Sequence, residues 1–189
     1  MSAIIQSRRS FLGTSSLALS GAAIALLSGT EVLAKSQAGS AHDVNILNVA
    51  LGLEHEGINA YTLGAKSGLL QKPVLEVAVR FQDDHKEHRD ALAATIRKLG
   101  GKPVEEKSLD DYAKALKADT LKTQADVLAL AARLELGATN AYLGVIPSFK
   151  DANLAKVAGR LATDEALHWA ILNNALGKPL LAGGMPFGA

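Results

Sequence analysis

From about residue 42 onward, apolar residues recur at spacings of three and four, the period of an amphipathic α-helix. Gly and Pro interrupt this pattern at Pro73, Gly100, Pro147 and Gly177. The pattern therefore predicts four long helices and one short one, at about 44–70, 73–99, 109–116, 123–146 and 152–176. No evenly spaced alternating segments favour strands.

The two halves of this helical region repeat the same polar residues in the same order. Glu54, Tyr61, Asp84 and His88 return roughly 80 residues later, with similar stop signals after the second helix of each half. The counterparts are Glu135, Tyr142, Asp164 and His168. We therefore predict an all-α four-helix bundle, built from two αα-hairpins joined by a longer crossover at residues 104–122.

A carboxylate or an imidazole breaks the apolar stripe near the middle of each long helix. Burying unpaired carboxylates is costly, and a metal ion supplies positive charge while accepting both oxygen and nitrogen ligands. For a single position, a histidine satisfied within an ordinary core would be the simpler reading. Together, the six positions predict a buried metal site: Glu54, His85, His88, Glu135, Glu165 and His168.

Glu165-x-x-His168, with single glutamates on two other helices, resembles the fingerprint of the ferritin-like superfamily of dinuclear carboxylate proteins. The resemblance covers nearly all of residues 42–179 and implies a ferritin-like bundle. It implies that Glu54 and His88 are terminal ligands of one metal ion. Glu135 and His168 would be terminal ligands of the other, and Glu165 would bridge the two.

His85 departs from the family pattern, because it stands where a bridging glutamate is expected. A neutral imidazole offers one lone pair and cannot bridge as a carboxylate does. The resemblance implies two divalent ions, iron first, with manganese, zinc or copper as alternatives. If His85 disrupts the second position, a single ion is expected.

Asp84 and Asp164 each directly precede a predicted ligand position. In the family that the chain resembles, such an aspartate accepts the free imidazole N–H of a histidine on the opposite helix. The resemblance implies the pairs Asp84 with His168 and Asp164 with His88. The alternative is that both aspartates face solvent.

Other aromatic residues lie near the predicted ligands. Tyr61 and Tyr142 follow the ligand glutamates by two turns, so they hydrogen-bond near the site, relay electrons or pack in the core. We expect His55 at the surface, His42 in a flexible start, and Trp169 in packing or at an interface.

The first residues have the features of a targeting signal, and we do not expect them to belong to the folded domain. Residues 7–12 resemble the twin-arginine export signal of bacteria, and the apolar stretch at 17–27 is short for a membrane span. We expect residues 1–41 to be a signal and flexible start, cleaved after Ala34 or Ala41. The alternative is a retained anchor helix. Export through the twin-arginine translocase, to the periplasm in a bacterium, follows from the first reading.

The remaining boundaries and composition restrict the function classes. Residues 42–179 would form the bundle, without a stable membrane span, and 180–189 an extended tail. The chain has no cysteine, which excludes disulfides and thiolate metal sites, and its net charge of +1 gives no sign of nucleic-acid binding. Leu-rich helix surfaces suggest a homodimer.

The resemblance implies redox chemistry, although no catalytic residue can be assigned. The first hypothesis is an exported dimetal oxidoreductase, or ferroxidase, acting on Fe(II), O2 or peroxide. The second is a non-enzymatic bundle that binds or buffers metal, or an interaction module with a remnant site. A storage cage is less expected, because no mark of its pores or acidic inner surface is present.

Overall fold

The computed structural model describes residues 37–179 and 187–188, and within them the chain forms five α-helices and no strand. Two short 3-10 helices, Ala118–Thr120 and Ile146–Ser148, complete the set. The α-helices are α1 Gln37–Lys66, α2 Lys72–Lys98, α3 Leu109–Ala115, α4 Gln124–Val145 and α5 Ala152–Ala175. The prediction of an all-α fold is confirmed.

The helix ends follow from local sequence. Pro73 stands in the first turn of α2, where a missing N–H costs nothing. Thr123 and Asp126 form a reciprocal capping box at the start of α4. The left-handed Gly100 and Gly177 terminate α2 and α5 in the same way, with φ of 80° and 66°. The matching stop signals in the sequence thus produce matching helix ends.

The bundle consists of two hairpins, α1 with α2 and α4 with α5, which also meet through α1 and α4. Tyr61, two turns after Glu54, contacts Glu135, and Tyr142, two turns after Glu135, contacts Glu54. Helices α1 and α4 therefore run antiparallel. The connection that contains α3 carries the chain between the hairpins, and α3 packs on α1.

Apolar side chains form two layers, one on each side of a polar layer at mid-bundle. The layer at the start of α1 contains Leu47, Leu51, Leu92, Ile96, Tyr142 and Leu161. The layer at the end of α1 contains Tyr61, Phe81, Leu128, Ala131, Ala132 and Leu172. These layers exclude water from both ends of the polar centre.

Residues 102–106, the covering segment, lie along the outer face of α1. The Asn48 side chain donates to the carbonyl of Lys102 at 3.1 Å and accepts from the amide of Val104 at 2.7 Å. Nε2 of His55 lies 3.4 Å from the Val104 carbonyl oxygen, and His55 is 7% exposed. The prediction that His55 lies at the surface is wrong, because this segment covers it.

Helix α1 also corrects the expected start of the ordered region. It begins at Gln37 rather than near 44, so the exposed His42 lies within a helix, with Nε2 3.0 Å from the Ser148 carbonyl oxygen. It ends at Lys66, before the left-handed Gly68, rather than near 70.

Both ends of the chain extend beyond what the structure describes. The proposed signal at 7–12, the site at Ala34 and most of the proposed tail, 180–186 and 189, lie outside the described residues. Among helices within 37–179, none has the length and apolar character needed to span a membrane. The partly buried Trp169 packs on the layer at the end of α1, and its ring lies 5.2 Å from that of Phe187.

Candidate metal centre

Six side chains from the four long helices converge in the polar layer. Five of them are at most 5% exposed, and the His88 side chain is 11% exposed. Their sources are α1 for Glu54, α2 for His85 and His88, α4 for Glu135, and α5 for Glu165 and His168. The structure thus brings together all six residues that the sequence singles out.

The His85 ring lies between the three carboxylates. Its Nδ1 lies 2.8 Å from Glu54 Oε2 and 3.8 Å from Glu165 Oε1, while its Nε2 lies 3.2 Å from Glu135 Oε1. This ring therefore separates the glutamate of α1 from that of α4, where a carboxylate could have bridged them.

Glu165 links the other two imidazoles. Its Oε1 lies 3.2 Å from Nδ1 of His88, and its Oε2 lies 3.2 Å from Nδ1 of His168. His88 Nδ1 is also 3.7 Å from Glu54, and His168 Nδ1 is 3.6 Å from Glu135. The centre consequently has two sides that meet at Glu165.

The donor atoms form two overlapping groups that fit cations. In each group the ligand atoms lie within 4.8 Å of one another. The groups are Glu54, His85, His88, Glu165 and His85, Glu135, Glu165, His168. Glu135 Oε2, Glu165 Oε2 and His168 Nδ1 are buried without a hydrogen-bond partner, although most buried polar atoms have one. Carboxylate oxygens and imidazole nitrogens with spare lone pairs suit iron, manganese or zinc.

Two aspartates contact two of the histidines from outside the centre. Asp84 Oδ2 lies 3.4 Å from His168 Nε2, and Asp164 Oδ2 lies 3.4 Å from His88 Nε2. In both histidines Nε2 faces an aspartate and Nδ1 faces the centre. When these histidines are neutral, this arrangement favours the tautomer with a free lone pair on Nδ1. The Asp84 side chain is 20% exposed, whereas that of Asp164 is 43% exposed, so Asp164 faces solvent as well as His88.

The two tyrosines hold the outer glutamates. The Tyr61 hydroxyl donates to Glu135, and the Tyr142 hydroxyl donates to Glu54. Burial, with the nearby carboxylate charges, raises the pKa of both tyrosines well above the usual value, so both stay protonated donors. Each tyrosine also packs in an apolar layer, so it combines the hydrogen-bonding and packing roles considered from the sequence.

Protons compensate the carboxylate charges in the metal-free centre. Burial alone would lower the pKa of His168, but contacts with Asp84, Glu135 and Glu165 raise it to about 10. Burial alone would raise the pKa of Glu54, but His85 and His88 lower it to about 2. Imidazolium protons therefore occupy the place that cations would take.

Burial raises the pKa of Glu165, the carboxylate shared by both groups. This 0%-exposed side chain is the one whose charge the surroundings neutralise least. A cation beside Glu165 would offset the cost of burying its charge, since an opposite charge favours the ionised carboxylate.

Two further contacts support the rings of His168 and His85, and the spacing of the predicted ligands in the sequence does not indicate either of them. The Phe81 ring stacks on the His168 ring with centroids 4.0 Å apart. A Cβ added to Gly57 would lie 3.1–3.3 Å from three atoms of the His85 ring, so His85 packs directly against the α1 backbone. The apolar stripe includes Phe81, but nothing in the sequence indicates the role of Gly57.

An apolar cavity of about 250 Å³ adjoins the centre at Tyr61. Its walls come from all four long helices and include Gly64, Val74, Leu128, Ala131, Ile171 and Leu172. Such a cavity favours apolar molecules over water.

Comparisons with known proteins agree with the bundle architecture. The sequence model of a family described as the ferritin-like domain matches residues 42–178. A crystal structure of a conserved hypothetical protein from Mycobacterium tuberculosis superposes with a TM-score of 0.61 at 21% identity, covering 80% of this chain and 100% of that one. At this identity the likeness shows the fold alone. No curated protein sequence matches.

Proposed function

This chain belongs to the ferritin-like domain family, and on that basis we propose that it is an exported dimetal oxidoreductase acting on Fe(II), O2 or peroxide. The observation that supports this most is the pair of overlapping donor groups that share Glu165 and His85. An isolated core histidine would require neither three buried glutamates nor two aspartates behind the imidazoles.

In this proposal Glu54 and His88 hold one ion, Glu135 and His168 hold the other, and Glu165 serves both. His85 has one lone pair when neutral, so it binds one of the two ions and directs its N–H away from it. The two positions are therefore unequal in ligand number and charge.

Bound iron would supply one-electron redox chemistry and an open position for O2 or peroxide. The protein's own side chains would orient the metal ligands and enclose the ions. Tyr61 and Tyr142 hold the outer glutamates by hydrogen bonds, and Asp84 and Asp164 hold the two histidine rings. The apolar cavity beside Tyr61 offers O2, an apolar molecule, a route that water avoids.

Metal analysis of the purified protein tests this function. Close to two ions per chain are expected, together with oxidation of added Fe(II) in air. Glu165→Ala should lose metal, while Glu87→Ala, on the exposed face of α2, should keep it. Metal-free protein whose thermal stability is unchanged by Glu165→Ala would contradict metal binding.

The position of His85 favours a second candidate, a single-ion bundle that binds or buffers metal without turnover. Its ring lies between Glu54 and Glu135, where the family pattern has a carboxylate. One ion per chain and no oxidation of Fe(II) would support this candidate. His85→Glu, which adds the missing carboxylate, should then raise the stoichiometry toward two.

Export is a separate part of the proposal, supported by the twin-arginine pattern at residues 7–12. Replacing both Arg8 and Arg9 with lysine should retain the protein in the cytoplasm of a bacterial host. Cell fractionation of this variant and the parent measures the effect. Equal distribution of the two proteins would contradict export by this route.

A further inference from the structure

A small void lies between the partly exposed junction of α1 and α4 and the centre. Its volume is about 20 Å³, enough for about one water molecule. The outer wall is formed by the partly exposed Leu53, Glu56, Leu134 and Ala138. The inner wall is formed by buried residues that include Tyr61, His85 and Glu135. Two predicted ligands thus face an opening between helices.

Glu56 is the acidic residue of the outer wall. Its side chain is partly buried and makes no hydrogen bond or ion pair with the rest of the described chain. A partly buried carboxylate without a hydrogen-bond or ion-pair partner among the described residues attracts cations. Its own helix directs Glu54, two residues earlier, into the centre, so Glu56 is too far around the helix to be a ligand of the same kind.

Small residues keep the void open. Gly57, Ala60, Ala131 and Ala138 line it where α1 and α4 approach each other. At Gly57 a side chain would meet the His85 ring. Larger residues at these positions would close the space between Glu56 and the centre.

Three other sides of the centre have neighbours of their own. On the side of α2 and α5, Asp84 and Asp164 lie against His168 and His88. Toward the two ends, the apolar layers separate the centre from solvent, and a hydrated cation does not cross such layers readily. The void at α1 and α4 combines a free carboxylate, small walls and direct contact with predicted ligands.

We propose that Glu56 is the entrance carboxylate for divalent cations, which reach His85 and Glu135 through the void between α1 and α4. This role rests on the proposed metal-binding function and adds the path by which that site is loaded. Glu56 acts on the rate of loading, because it attracts the ion but does not belong to either donor group.

Stopped-flow loading of the chelator-treated full chain with Co(II) tests the path, with the absorption of bound cobalt as the readout. Glu56→Gln should slow loading on the order of tenfold, the lower range for electrostatic steering, while the end-point affinity and stoichiometry stay unchanged. Ala138→Leu should also slow loading, because it narrows the void without changing charge.

Glu87→Gln is the matched control, since it removes the same charge from an exposed position of α2. It should load at the wild-type rate. Wild-type loading by Glu56→Gln would overturn the entrance role, and so would a weaker end-point affinity, which would make Glu56 a ligand. If the wild-type chain binds no Co(II), the proposed function itself fails.

Discussion

His85 is the residue that makes the two halves of the centre unequal. Its counterpart in the repeat is Glu165, and the two side chains face each other within 3.8 Å. The sequence locates this difference, because the repeat aligns Asp84-His85 with Asp164-Glu165. It does not show that the ring would lie against the backbone at Gly57, which depends on how α1 and α2 approach each other.

Substitution of Gly57 tests this close packing. Gly57→Ala should displace the His85 ring and weaken metal binding, because the new Cβ would lie 3.1–3.3 Å from the ring atoms. Gly137→Ala is the control, since a Cβ there meets nothing within 4 Å and should add about 1 kcal/mol of helix stability. Isothermal titration with Co(II) measures both. Equal affinity of the two variants would contradict the packing argument.

The aspartates behind the histidines should control affinity rather than the fold. Asp84→Asn weakens the acceptor for His168, and loss of such a partner costs about 10–100-fold in metal affinity. Asp83→Asn changes the neighbouring exposed residue, which pairs with Lys86, and should have little effect. Competition with a chelator of known affinity separates the variants; similar constants for both would argue against the positioning role of Asp84.

At the scale of the elements, the helix boundaries can be predicted closely from capping residues and from Gly and Pro positions. α4 and α5 begin and end within a residue or so of the predicted bounds, because Thr123, Asp151, Pro147 and Gly177 act locally. The burial of His55 was not predictable, because residues 102–106 have no period to indicate where they lie. The place of Glu56 beside the void was not predictable either, because Glu56 lies off the ligand stripe and the void depends on how α1 and α4 pack.

The capping box of α4 gives a prediction at this scale. Thr123→Ala should lower the free energy of unfolding by about 1 kcal/mol, because Thr123 accepts from the Asp126 amide at the first turn. Thr163→Ala, an exposed mid-helix change in α5, should have a smaller effect. Chemical denaturation of both variants with metal removed gives the comparison. A larger loss in Thr163→Ala would contradict it.

For the whole molecule, the ionisable groups of the centre couple stability to pH. His168 has its pKa raised from 6.5 to about 10, so its contribution is full below about pH 6.5 and is lost as the pH rises toward 10. Glu54 has its pKa lowered from 4.5 to about 2, so its contribution is full above about pH 4.5 and is lost as the pH falls toward 2. The metal-free protein should be most stable between these limits.

Metal should reverse the loss on the alkaline side, because cations replace the imidazolium protons. We expect the difference in melting temperature between metal-loaded and chelator-treated protein to be larger at pH 9 than at pH 6. Differential scanning calorimetry at both values measures it. The Glu165→Ala variant serves as the control, and a difference independent of pH in the wild-type protein would contradict the coupling.

The reciprocal contacts of Tyr61 with Glu135 and Tyr142 with Glu54 have a consequence for the origin of the chain. They are the contacts that fusion of two copies of one hairpin would produce, because each helix then meets its own counterpart in the same way. The second hairpin alone carries both glutamates and the histidine of its half. Two copies of it would contribute four glutamates and two histidines, the full ligand set of the family, whereas two copies of the first would contribute two glutamates and four histidines. The departure from the ligand set of dinuclear ferritin-like proteins therefore lies in the first hairpin alone.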